Sequence, residues 1–480
     1  MVTMKRKLLT TLLLLGLSLG AFAGCRGTFS SSQKAKTSDD PSVVLRIANC
    51  EEYIDLGDWG ADETIELDDG TKIRGVDSMV KDYEKWYQET YGQKVRVEYS
   101  TYGTNEDLYN QMTLGNTFDL VCPSEYMIMK LMSEKRLVPL SKDFYEETKY
   151  HYYTKGVSPY IRDRLNDLRM GDERVGRYAA GYMWGTLGVV YNPEVVKDED
   201  ANHWNMFTNK AYRKRITIKD SIRDSFFGAL GILNEKELKE LEDKKQDPKE
   251  YEKRLDDMMN ATDAKTVDQV ESILTDMREN AYAMETDAGK QDLVTGKTGA
   301  CLQWSGDAVF SMDQADEDGV ALSYAVPEGA SNLWFDGWVM MKDGIRQDKK
   351  KQQAAEAFID FISRPDNVIR NMYYIGYTSC ISGGDDPLIY DYLMYNYAAE
   401  EDEKDTVDYD VSYFFRDTEG KGNYIFAVPK EQEKRQLFAQ YPPEDVLERC
   451  VVMKCFDQEA NRRISQMWTN IRCYRFPWEK

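Results

Sequence analysis

Val43-Val44-Leu45-Arg46-Ile47-Ala48-Asn49, then Met79 to Tyr91, then Lys94-Val95-Arg96-Val97-Glu98-Tyr99 are the stretches whose reading decides the fold. The first and last are apolar, β-branched runs of strand length, with Val95, Val97 and Tyr99 alternating. Between them Met79, Val80, Tyr83, Trp86, Tyr87 and Tyr91 recur at helical spacing, and Gly92 offers a left-handed cap. Strand, helix, strand in this order predicts a parallel βαβ unit. A third strand is predicted over Phe118 to Cys122, followed by Pro123-Ser124 and a helix over Glu125 to Glu134. Loops after such strands lie at the carboxyl edge of the sheet, where open α/β folds bind ligands. Glu52, Tyr53, Ser124 and Tyr126 fall there.

A second α/β body is predicted from about Gly188 to Gln314. Ile216 to Ile218 reads as a strand leading to Asp220, Arg223 and Asp224, and Ala300 to Trp304 as one leading into Ser305-Gly306-Asp307. Val267, Val270, Ile273, Leu274 and Met277 mark a helix between them. Leu322 to Val326 and Trp334 to Met341 read as strands returning to the first body, before a helix through Ala354, Phe358 and Phe361 that breaks at Pro365. The expected fold class is α/β, with two hinged lobes around a central cleft. Lobe I takes residues 43–187 and 328–480, and lobe II residues 188–327. Two segments read as insertions: 234–260, a solvated helical hairpin interrupted at Pro248, and about 400–443, where Tyr409, Tyr413, Phe414 and Phe415 imply packing.

Residues 1–24 read as a lipoprotein signal peptide. Lys5, Arg6 and Lys7 precede an apolar run over Leu8 to Ala23, and Ala23-Gly24 places small residues ahead of Cys25. The run of about 16 residues falls below the roughly 20 that span a bilayer. A terminal Cys25 can carry acyl chains, at about 0.8 kcal/mol per buried methylene. Residues 25–42, rich in Ser, Lys and Asp, suit a tether. The expected location is extracytoplasmic, at the membrane through a lipid on Cys25.

The formal charge of −22 becomes about −25 when Lys5, Arg6 and Lys7 leave with the signal. Such a surface repels nucleic acid and anionic lipid and favours cationic ligands. The chain has 32 Tyr and 9 Trp, whose π faces suit organic cations. Its two histidines, His151 and His203, lie in no metal-ligand spacing, which removes most zinc-hydrolase and Ser-His-Asp readings; no metal or cofactor is expected. Seven cysteines follow Cys25 without a CxxC pair. Cys450 and Cys455 have the spacing for a short disulfide, and the others read as buried thiols.

Trp334-Phe335-Asp336 is the sharpest local signal. In an extended segment Trp334 and Asp336 share a face, offering an alkylammonium a π face and a carboxylate together. Trp304, Tyr377 after Gly376, Tyr126 after Ser124, and the Glu51-Glu52-Tyr53 triplet recur at strand ends in both lobes. Singly each of these residues is more often structural, and their clustering at strand ends raises the reading of an amine binder. Its competitors are a binding protein for another cationic amine solute, a surface-anchored hydrolase with Asp336 and Asp224 as acid and base, and an adhesion protein.

These stretches resemble, in collinear order over most of residues 43 to 380, the substrate-binding proteins of spermidine/putrescine ABC transporters. The likeness is carried by Asn49-Cys50-Glu51-Glu52-Tyr53, Tyr102 to Tyr109, Asp119 to Tyr126, Trp184-Gly185-Thr186-Leu187-Gly188, Thr217 to Leu230, Trp304-Ser305-Gly306, Trp334-Phe335-Asp336, Arg364-Pro365-Asp366 and Ile375-Gly376-Tyr377. The resemblance implies a two-lobed type II periplasmic-binding-protein fold, monomeric and without an enzymatic step, that closes on a polyamine and hands it to a membrane permease. It implies Glu52, Tyr53, Ser124 and Tyr126 at the site, Asp224 and Asp336 as amine-binding carboxylates, and Trp304, Trp334 and Tyr377 as aromatic walls. Cys50 stands where the family often has an aromatic, and Ser221 where some members carry an acid.

Overall fold

The computed structural model describes residues 43–60, 63–145, 151–242, 247–286, 288–417 and 421–473. The signal segment, Cys25 and the tether lie outside them. The predicted βαβ unit forms: β1 (Val43–Cys50), α1 (Met79–Tyr91) and β2 (Val95–Tyr102), with β1 and β2 parallel. Ser78 caps the start of α1 and Gly92, at φ 66°, ends it. Met79, Tyr83 and Tyr87 turn the buried face of α1 to the core. β3 (Leu120–Val121) adds on the other side of β1, also parallel, and α2 (Glu125–Ser133) follows it.

The joint between the bodies is β4 (Ala179–Tyr191), whose 13 residues are all buried. Through Leu187–Tyr191 it pairs with the second body, and through Ala179–Thr186 with the returning strand of the first. The second body contains β5 (Ile216–Lys219), α3 (Ile222–Glu242), α4 (Ala264–Asn280), β6 (Ala283–Glu285), β7 (Ala300–Trp304) and α5 (Ser305–Glu317). β8 (Ser331–Met341) then returns to the first. The sheet order is β6-β5-β7-β4-β8-β3-β1-β2. Two buried apolar clusters serve it, one centred on each body. No helix of the described residues is long and apolar enough to cross a membrane.

Three expectations are corrected. The segment 234–260 is a helical hairpin, but Leu238, Leu241, Tyr251, Leu255 and Met259 recur at helical spacing and are buried in the second core, so only its other face is solvated. Pro248 starts the second helix of that hairpin, where no intrahelical donor is needed, and Asp247 caps it. Cys450 and Cys455 are both free thiols: Cys450 pairs in a short parallel ladder with Ser331 and donates its thiol to the Val446 carbonyl at 3.3 Å.

The segment about 400–443 contributes a two-stranded hairpin, and Tyr409, Tyr413, Phe414 and Phe415 enter the first core. Its last part and the chain after it reach the second body. Arg435 pairs with Asp316 at 2.5 Å, and α6 (Gln458–Arg472) buries Ile464, Met467 and Ile471 in the second core. This carboxyl-terminal part of the range read as lobe I thus packs on the other body, because its apolar stripe matches α4.

Candidate functional site

Asp336 sits where β8 is irregular. Its register against β4 shifts between Asp336 and Gly337, and Asp336 forms an isolated bridge with Ser124 after β3. Each carboxylate oxygen accepts one hydroxyl: Tyr53 Oη donates to Oδ2 at 2.6 Å, and Ser124 Oγ to Oδ1 at 2.7 Å. Asn105 Nδ2 donates to Ser124 Oγ at 2.9 Å and its Oδ1 accepts from Ser124 N at 3.1 Å, so the hydroxyl is held in place. The Tyr53 carbonyl accepts from Asn49 Nδ2 at 3.0 Å and from Tyr182 Oη at 2.8 Å. Burial pushes Asp336 up to about 6, against the two hydroxyl bonds that lower it. Two of its roughly four lone-pair sites stay open to a further donor.

The aromatic wall stands beside this carboxylate. Tyr53 meets Tyr377 edge-on at 5.5 Å between centroids, and Tyr377 lies 5.5 Å from Trp334. The wall is packed to the limit. A Cβ on Gly306 would come within 2.1 Å of the Tyr377 ring, and one on Gly185 within 2.2 Å of Ser305 Oγ and 2.6 Å of the Trp334 ring. Trp334 Nε1 is buried and has no hydrogen-bond acceptor among the described residues.

The second body supplies the opposite end. Tyr377 Oη donates to Asp307 Oδ1 at 3.0 Å, which joins the bodies across the cleft. Lys219, fully buried at the end of β5, lies 3.5 Å from Asp307 Oδ2 and donates to the Thr286 carbonyl at 2.7 Å. Lys290 lies 3.5 Å from Asp307 Oδ1. The Lys219 ammonium stands 4.2 Å over the Trp304 ring, and Trp304 Nε1 donates to Asp224 Oδ1 at 3.1 Å. Burial raises the Asp224 carboxyl above its ordinary value, opposed by Ser221, Trp304 and the cations Lys219 and Arg223.

Eight of the nine residues singled out from sequence thus take part in this chain of contacts or border it. Tyr126 is reached through Arg223, whose guanidinium lies 4.5 Å over its ring and 3.8 Å over Phe456. Glu52 is the exception: its side chain is exposed and its backbone is left-handed, at φ 53°. It is not gathered with the others, because β1 ends at Cys50 and the turn carries Glu51 and Glu52 outward before Tyr53 re-enters the core.

The family model for bacterial extracellular solute-binding proteins matches residues 78–387. The chain belongs to that family. Among relatives of this solute-binding protein, the putrescine-binding periplasmic protein of Escherichia coli K12 is 22% identical over 392 residues, 79% of this chain and 85% of the relative. A putrescine/agmatine-binding protein of Pseudomonas aeruginosa is 22% identical over 332 residues, 66% of this chain and 78% of the relative. In fold, the solute-binding protein is similar to the spermidine/putrescine ABC transporter substrate-binding protein of Streptococcus pneumoniae, at TM-score 0.56 and 23% identity over 91% of this chain and all of that one. A PotD lipoprotein of Treponema pallidum gives TM-score 0.57 at 16% identity, over 89% and 99%. The two-lobed α/β fold expected from sequence is therefore shown.

Sequence reasoning missed Asp307, Lys219, Lys290, Arg223, Asn105 and Glu125 as members of the solute-binding protein's cleft. Asp307 was in view, two residues beyond Ser305 at the end of β7. Glu125 is buried and accepts from Phe335 N at 3.0 Å, and burial pushes its carboxyl up to about 8. Cys50, at the position where the resemblance implies an aromatic, is half-buried, and burial followed by Asp336 pushes its thiol up to about 12.

Proposed function

We propose that this solute-binding protein captures an aliphatic polyamine of the spermidine/putrescine class and delivers it to an ABC transporter permease, without a catalytic step. The observation that carries the reading is Asp336: a desolvated carboxylate with a hydroxyl on each oxygen and no cation paired to it among the described residues. An ammonium is the missing partner. Charge-assisted hydrogen bonds to it contribute about 1.5 to 3 kcal/mol each. Trp334, Tyr377 and Tyr53 cover the adjoining methylenes and add cation-π attraction of roughly 0.5 to 2 kcal/mol. Ser124 orients the carboxylate, and Asp224, Trp304 and Tyr126 line the far side.

Contacts from both bodies to one ligand stabilise the closed arrangement, since the ligand favours the state in which it makes more of them. In this reading lobe I is residues 43–187 with 328–443, lobe II is residues 188–327, and the carboxyl-terminal helix closes with lobe II. A lipid on Cys25 and the tether 25–42 keep a monomeric carrier near its permease, where linker length sets the effective concentration. Titration calorimetry of the soluble body with putrescine and with spermidine tests the ligand. Micromolar or tighter binding of either supports it, and no heat with both sinks it.

A further inference from the structure

The two carboxylates at the ends of the aromatic wall differ in what neutralises them. Asp336 meets only hydroxyls. Asp307 meets Lys219, Lys290 and the Tyr377 hydroxyl, so both its oxygens are engaged and its charge is matched within the chain. Lys219 is fully buried, and its position over Trp304 and beside Asp307 is that of an ammonium group held by a π face and a carboxylate together. A second ligand ammonium arriving there would meet a like charge already seated and no free carboxylate on Asp307. The buried Trp334 Nε1, in the wall between the two carboxylates' aromatic neighbours, lacks an acceptor among the described residues. Tyr377 links the two features: its ring packs on Trp334 and its hydroxyl reaches Asp307.

We infer that Lys219 is a specificity-determining residue, an internal counterpart of a second ligand ammonium, and that among amines of the polyamine class the site favours those with one cationic head and an uncharged far end. This rests on the reading of the cleft as an amine site. The cationic head pairs with Asp336. The far end carries no charge to compete with Lys219. An N-acylated diamine has this chemistry, whereas the parent diamine enters the same cleft with its second ammonium facing the like charge of Lys219 and binds no more tightly.

The test is titration calorimetry of the wild-type soluble body and of Lys219→Met and Lys219→Gln with putrescine and N-acetylputrescine, with circular dichroism to confirm folding. The wild type is expected to bind N-acetylputrescine at least as tightly as putrescine. Either variant is expected to shift the ratio of affinities toward putrescine by tenfold or more, because Asp307 then gains an open site. Wild-type preference for putrescine by tenfold or more overturns the inference without recourse to the variants, so misfolding of either leaves it falsifiable. An unchanged ratio in a folded variant also overturns it. Absence of heat with both amines on the wild type removes the amine-site reading itself, and the inference with it, a result distinct from binding with the wrong ratio.

Discussion

The two ends of the cleft use the same residue types to opposite effect. At the Asp336 end a carboxylate is desolvated and left without a counter-ion, surrounded by Tyr53 and Ser124 hydroxyls. At the Asp307 end a carboxylate is tied to two lysines, one of them fully buried. On the proposed reading, the unmatched charge is the one open to a ligand, and the matched charge is satisfied within the fold. The first arrangement leaves a buried charge without a counter-ion among the described residues. The second is self-contained, and breaking it strands a buried ammonium.

Asp307→Asn gives the largest expected effect and falls on the fold. Removing one partner of a buried pair costs about 3 to 5 kcal/mol, read as a lowered urea midpoint. Loss of binding with an unchanged midpoint would erase the distinction between the two ends. Asp336→Ala comes next and falls on the ligand, with a loss of about 2 to 5 kcal/mol in calorimetric affinity for whichever amine binds. An affinity equal to wild type removes Asp336 from the site.

The third effect is one of pH. Because the folded-state value of Asp336 is raised to about 6, its stabilising contribution is complete below the unfolded carboxylate value and is lost as pH rises through 6. Ligand affinity has the opposite sense, since an ammonium needs the ionised carboxylate. Between pH 7 and pH 5 amine affinity should fall about tenfold, close to 1.4 kcal/mol. A flat profile over that range contradicts the assignment of Asp336 as the ligand's charge partner. The smallest effect is expected for Glu52→Gln, under about 0.5 kcal/mol in affinity, because the side chain is exposed. A tenfold loss would restore Glu52 to the site.

The first βαβ unit and the strand-end loops were legible because alternation and helical spacing are local properties of the chain. Asp336, Trp334, Tyr53 and Ser124 were legible for the same reason, since position at a strand end already puts a residue at the carboxyl edge. β4 was harder to read. Its glycines Gly181, Gly185 and Gly188 weaken a strand on propensity, yet Gly185 is required where Ser305 and Trp334 approach its backbone. Lys219 was also hidden. A lysine closing Ile-Thr-Ile-Lys reads as a solvated strand end, and nothing near it in sequence announces Asp307, 88 residues on.

Sequence alone therefore determined the two α/β bodies and the placing of amine-suited residue types at the carboxyl edge of their strands, because periodicity and strand order act over short spans of chain. Tertiary structure alone decided which carboxylate is spoken for. Charges are matched by distance in space, and only the register of β5 beside β7, with Tyr377 reaching across from the other body, brings Lys219 to Asp307 while leaving Asp336 to hydroxyls.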